Sequence, residues 1–88
     1  MGETLILLFD SVHHVLRAEK LLLQAGFNVR TKPVPRQLSS DCGICLYVEK
    51  ADQADLIKTL PAGARPRQIF KRKSKREFVC VWQSEEWS

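Results

Sequence analysis

A continuous apolar run, Leu5–Phe9, followed at once by two helix-capping residues and an amphipathic segment, restricts the fold of this chain more than any other feature. Thr4–Phe9 reads as a central strand covered on at least one face, because no polar residue interrupts it to mark a solvent side. Asp10 and Ser11 can each accept a hydrogen bond from the first amides of a helix. From Val12 to Ala25, Val12, Val15, Leu16, Leu22 and Leu23 recur at helical spacing, and Gly26 supplies a stop.

Phe27–Thr31 alternates apolar and polar residues as a second strand, which Pro33 and Pro35 are expected to end. Arg36 to Gly43 reads as a polar loop, Ile44–Glu49 as a third strand and Asp52–Leu60 as a short helix stopped by Pro61. Arg67–Lys71 is a fourth strand, and Glu77–Trp82 a fifth, turned back on it through Lys73-Ser74-Lys75. The order β-α-β-β-α-β predicts an α+β, ferredoxin-like sandwich: an antiparallel sheet, two helices on one face, and an extra C-terminal edge strand. Residues 1–83 form the single domain, and Ser84–Ser88 is expected to fray. Strands one and three are expected to run parallel in mid-sheet. That places the start of strand three opposite the start of helix one and brings the end of strand four back to it.

A chain of 88 residues has room for one core. The apolar run near the N-terminus is too short for a signal sequence or a membrane span, so a cytoplasmic location without membrane attachment is expected. The formal charge of +4 is local in origin. Arg65, Arg67, Lys71, Arg72, Lys73, Lys75 and Arg76 fall within one stretch that contains no acid.

The chemistry-bearing segment is Ser39-Ser40-Asp41-Cys42-Gly43-Ile44-Cys45. Three cysteines, two of them in a C-x-x-C, do not suit a secreted disulfide scaffold. In a reducing compartment such a pair is redox-active, sulfur-carrying, metal-binding or simply packed. A thiol acts as the thiolate, so its surroundings matter. Gly43 permits a left-handed turn and close approach of another molecule. Ser39, Ser40 and Asp41 can order that turn, while Arg36 and the Lys71–Arg76 run are expected to stabilise negative charge on sulfur. In this reading Cys42 is the reactive atom and Cys45 a resolving partner. In the other, Cys45 is a buried small hydrophobe alternating with Ile44 and Leu46. One C-x-x-C offers two of the four ligands of a structural zinc, and no second pair exists, so neither metal nor cofactor is expected. Cys80, in an alternating strand, reads as structural.

Asp10-Ser11-Val12-His13-His14, Arg17–Leu22, Pro33–Ser40 and Asp41-Cys42-Gly43 together resemble the family of selenium/sulfur carrier-like proteins. The resemblance runs through a helix of the form S-x-H-x-x-L-x-A-E-x-L-L and a loop of the form P-x-P-R-x-L-S-S-x-C-G, over roughly residues 4 to 71. It implies that Cys42 is the carrier position. Cys45 and the segment Glu77–Ser88 lie outside the motif.

Other residues have competing readings. His13 and His14 start the helix, and adjacent helical positions diverge by about 100°, so two such residues make a poor metal pair. Under the expected topology they lie far from Cys42, though His13 can meet a partner or an anion. Glu19 falls among the apolar positions of the helix, where an acid needs a partner: a structural hydrogen bond, or else a role as base or docking hook. Lys71, Arg72, Lys73, Lys75 and Arg76 can guide an acidic partner protein or contact nucleic-acid phosphates. No nucleotide fingerprint or catalytic triad is present, which disfavours an independent enzyme. The expected function is a carrier that holds sulfur or selenium on Cys42 and exchanges it with donor and acceptor proteins, such as a cysteine desulfurase. The alternative is a basic RNA-binding or protein-interaction module.

Overall fold

The computed structural model describes residues 3–38 and 43–84. Its elements are β1 (Glu3–Leu8), α1 (Val12–Gln24), β2 (Asn28–Pro33), β3 (Ile44–Ala51), α2 (Gln53–Thr59), a single 3-10 turn (Ala62–Ala64), β4 (Gln68–Arg72) and β5 (Phe78–Gln83). The five strands form one antiparallel sheet in the order β2-β3-β1-β4-β5. Residues 85–88 of the expected tail lie outside the described residues, whereas the Ser84 amide still donates to the Arg67 carbonyl at 2.9 Å.

The helix starts where its cap dictates. Ser11 is extended, and its hydroxyl accepts the His14 amide at 3.4 Å. The helix ends through Gly26 at φ +94°, with the Phe27 amide returning to the Leu22 carbonyl at 3.0 Å. Its apolar residues divide by depth. Val15, Ala18 and Leu22 are buried, while Val12, Leu16 and Leu23 are exposed. Glu19 lies beside the buried stripe and accepts the Thr31 hydroxyl at 2.6 Å, which ties α1 to β2. A hydrogen bond of this kind is the bland explanation of a carboxylate among apolar neighbours.

Period-two alternation sorts the sheet into two faces. Leu5, Leu7, Leu46, Val48 and Ile69 meet Val15, Ala18 and Leu22 of α1 and Leu56 of α2 in the larger core. Ile6, Leu8 and Cys45 point to the opposite face, with Val34, Leu38, Tyr47, Phe70 and Phe78 packed around them. Strand β2 continues through Pro33, which an edge strand tolerates. A bulge interrupts β1–β3 between Glu3 and Leu5, and Lys50, at φ 51°, is the extra residue on the β3 side.

One expectation is overturned, and it matters for function. Strands β1 and β3 are antiparallel, with Leu8 opposite Cys45. The crossover through α1 returns β2 parallel to β1, and the reversal into β3 then inverts the direction. The start of β3 therefore shares one end of the sheet with the start of α1. Strand β4 is also antiparallel to β1, with Leu5 opposite Lys71, so the Lys71–Arg76 run sits at the other end. The histidines are at the cysteine end, and the basic run is not.

Candidate functional site

Ser39, Ser40, Asp41 and Cys42 lie outside the described residues. The segments on either side of them are described. On one side the chain leaves β2 at Pro33, makes a turn in which the Leu38 amide donates to the Pro35 carbonyl at 3.0 Å, and exposes Arg36. On the other side Gly43 enters β3 with φ +74°, and its carbonyl accepts the Val34 amide at 3.2 Å. That hydrogen bond closes the base of the loop. A Cβ at Gly43 would meet nothing within 4 Å, so the glycine answers to backbone conformation and not to space. Gly43→Ala is accordingly expected to lower unfolding stability by about 1 kcal/mol, read by urea denaturation. A stability equal to or above that of the parent would show that the left-handed turn does not constrain the loop.

Cys45 is two positions beyond Gly43 and differs sharply from an exposed loop thiol. It has no solvent-accessible surface. Its Sγ donates to the Pro33 carbonyl oxygen at 3.8 Å, and Val34 and Leu38 close over the cluster that contains it. Next to it, burial first and then electrostatic interaction with Cys45 raise the Tyr47 phenol above its usual value, against a lowering pull from Arg72. Cys80, by contrast, is exposed on the edge strand β5, its thiol 3.3 Å from the Trp82 carbonyl oxygen. The expectation of a structural Cys80 did not anticipate that exposure.

Among the described residues, cations at the Gly43 end include Lys32, which is paired with Cys45 across β2–β3, Arg36, Arg65 and Arg67. Arg65 donates through Nε to the Leu60 carbonyl at 3.1 Å, and Arg67 pairs with Asp10 at 3.7 Å. The Arg67 amide also holds the Leu8 carbonyl at 2.7 Å, which locks the start of β4 to the end of β1. Asp10, His14, Arg65, Arg67 and Trp82 line an open cavity of about 710 Å3 at this end, on the helix side of the sheet. His13 and His14 are exposed. Among the described residues, no three of His, Cys, Asp and Glu converge as metal ligands.

The structure thus separates residues that the sequence reading grouped. Gly43, Arg36 and the helix start lie at one end of the sheet, while Lys71, Arg72, Lys73, Lys75 and Arg76 occupy the β4–β5 hairpin at the far end. Arg65 and Arg67 were legible as cations but not as neighbours of the loop, because that placement follows from strand direction.

Compared with known proteins, residues 4–71 match the model of a family described as "Putative Se/S carrier protein-like". No curated protein and no solved structure matches the chain.

Proposed function

The chain belongs to the Se/S carrier-like family, and from that premise we propose that it carries sulfur or selenium as a persulfide or selenopersulfide on Cys42. The observation that carries this reading is the family match across the Pro33–Gly43 loop. It is supported by a loop base closed at one sheet end, the end at which Arg36 follows β2 and Arg65 and Arg67 precede β4. The fold is read as ferredoxin-like, supported by the order β2-β3-β1-β4 with both helices on one face and β5 added at the edge.

In the proposed step the Cys42 thiolate attacks the terminal sulfur of a donor enzyme's persulfide. The donor S–S bond breaks as the Cys42 S–S bond forms, and the donor cysteine leaves as a thiolate. Nothing is oxidised or reduced overall. Cations at the site favour both the attacking thiolate and the persulfide anion. Discharge reverses the chemistry toward an acceptor thiol. The proposal assigns that role to an acceptor protein and not to Cys45, because Cys45 has no exposed surface from which to attack. In this reading the protein binds donor and acceptor in turn and catalyses no reaction by itself.

Intact-mass spectrometry after incubation with a cysteine desulfurase and cysteine is the test. A gain of about 32 Da, the mass of one sulfur, is expected in the parent and in Cys80→Ala, and is expected to vanish in Cys42→Ala. An adduct that survives in Cys42→Ala, or that is absent from the parent, overturns the assignment.

A further inference from the structure

The helix-free face of the sheet divides into two halves. At the Gly43 end Val34 and Leu38 close over Leu8 and Cys45. Toward the hairpin end three half-buried aromatic side chains, Tyr47, Phe70 and Phe78, keep part of their surface in solvent. The register aligns Arg30, Tyr47, Ile6, Phe70 and Cys80 in one row across all five strands. Each aromatic edge of this platform has a cation in place. Lys32 Nζ lies 4.6 Å from the Tyr47 ring centre, and Arg72 Cζ lies 5.3 Å from that of Phe78. The positive charge of Arg72 also acts on the Tyr47 phenol, pulling its pKa down against burial.

Arg72 also lines an open depression of about 430 Å3, together with Thr4 and residues 71 and 73–75 of the hairpin. Three lysines and an arginine fall in that lining. On the platform itself the acid Glu49 is engaged by the Asn28 amide at 3.0 Å. The three rings pack against the buried Ile6, Leu8 and Cys45 with one part of each side chain and present the rest, with cations beside them, on one surface. A ligand that alternates flat π-faces with negative charges uses both.

We propose that this helix-free face binds single-stranded nucleic acid, with bases stacking on Tyr47, Phe70 and Phe78 and phosphates meeting Arg72, Lys73 and Lys75. Stacking on an exposed sheet face selects unpaired bases, since those in a duplex are already stacked. The phosphate contacts make the affinity fall as salt rises. The site uses no residue of the Pro33–Gly43 loop and goes beyond the carrier reading, so the two can fail separately.

The test is fluorescence anisotropy with a labelled oligouridylate of about 12 nucleotides, a site size within the range of single-strand binders. Cys42→Ala serves as the parent, so that sulfur loading plays no part. Phe78→Leu keeps apolar bulk but loses the π-face and is expected to weaken binding at least about fivefold, with Phe78→Tyr restoring it. Arg72→Gln is expected to weaken binding about tenfold and to flatten the salt dependence. Lys58→Gln, an equal loss of charge on exposed α2, is expected to change affinity less than about twofold. Saturable binding that a duplex of the same length or polyglutamate does not mimic supports the proposal. Absence of binding overturns it. So does equal weakening by Lys58→Gln and Arg72→Gln, which would mean nonspecific attraction to any polyanion, or a preference for polyglutamate, which would mean an acidic protein partner.

Discussion

In folded Cys42→Ala protein, Cys45 is expected to react with a small thiol reagent about 100-fold more slowly than Cys80. Cys80 is exposed on an edge strand, while Cys45 has no accessible surface and lies beneath Val34 and Leu38. Reagent reaches Cys45 only through local opening, and an opening free energy of about 3 kcal/mol suppresses the rate by roughly two orders of magnitude. Time-resolved labelling followed by peptide mapping reads the two rates. Leu38→Ser should speed labelling of Cys45 without unfolding the sheet, because it loosens the cover and leaves the strand pairing intact. Comparable rates at Cys45 and Cys80 under native conditions would reopen a resolving role for Cys45. They would also remove the reason for assigning discharge to an acceptor protein.

The second large effect separates two neighbouring leucines. Leu22→Ala is expected to cost about 2–5 kcal/mol, because the side chain is fully buried against the sheet and its removal leaves a cavity. Leu23→Ala is expected to cost less than about 1 kcal/mol, since Leu23 is 52% exposed. For a domain of this size, the first loss would lower the midpoint of thermal unfolding by roughly 10 °C or more. Calorimetry on the two variants checks this. Equal losses would mean that the outer leucine is covered in solution.

That pair also shows where the sequence was informative and where it was not. The bounds of α1 were legible because Ser11 and Gly26 act locally, through hydrogen bonds and backbone conformation that depend on few neighbours. The element order was legible for the same reason. Helical spacing grouped Val12, Leu16 and Leu23 with Leu22, but how wide a stripe is buried depends on what packs against it. Strand direction does not show in any one strand's pattern, which is the same whichever way it runs. It follows from the connections: a crossover through α1 makes β2 parallel to β1, and the reversal into β3 makes β3 antiparallel to it. The reversed direction of β3 moved the histidines toward the cysteine loop and the hairpin cations away from it. The aromatic platform was hidden for a related reason. Tyr47 is far in sequence from Phe70 and Phe78, and the three share a face only once the register aligns β3, β1, β4 and β5.

The strand order has a consequence for how the chain acquires its structure. β1 leaves the ribosome before both of its partners, β3 and β4, which follow α1 and β2. At ordinary synthesis rates the apolar segment Leu5–Phe9 waits a few seconds for β3, covered in the interval only by α1. Sheet pairing that joins distant segments also folds more slowly than helix packing of equal size. A nascent chain of this design spends its most vulnerable moments with its future central strand exposed. Mutations that slow the pairing of β3 with β1 should therefore reduce the yield of folded protein in cells more than their equilibrium stability implies.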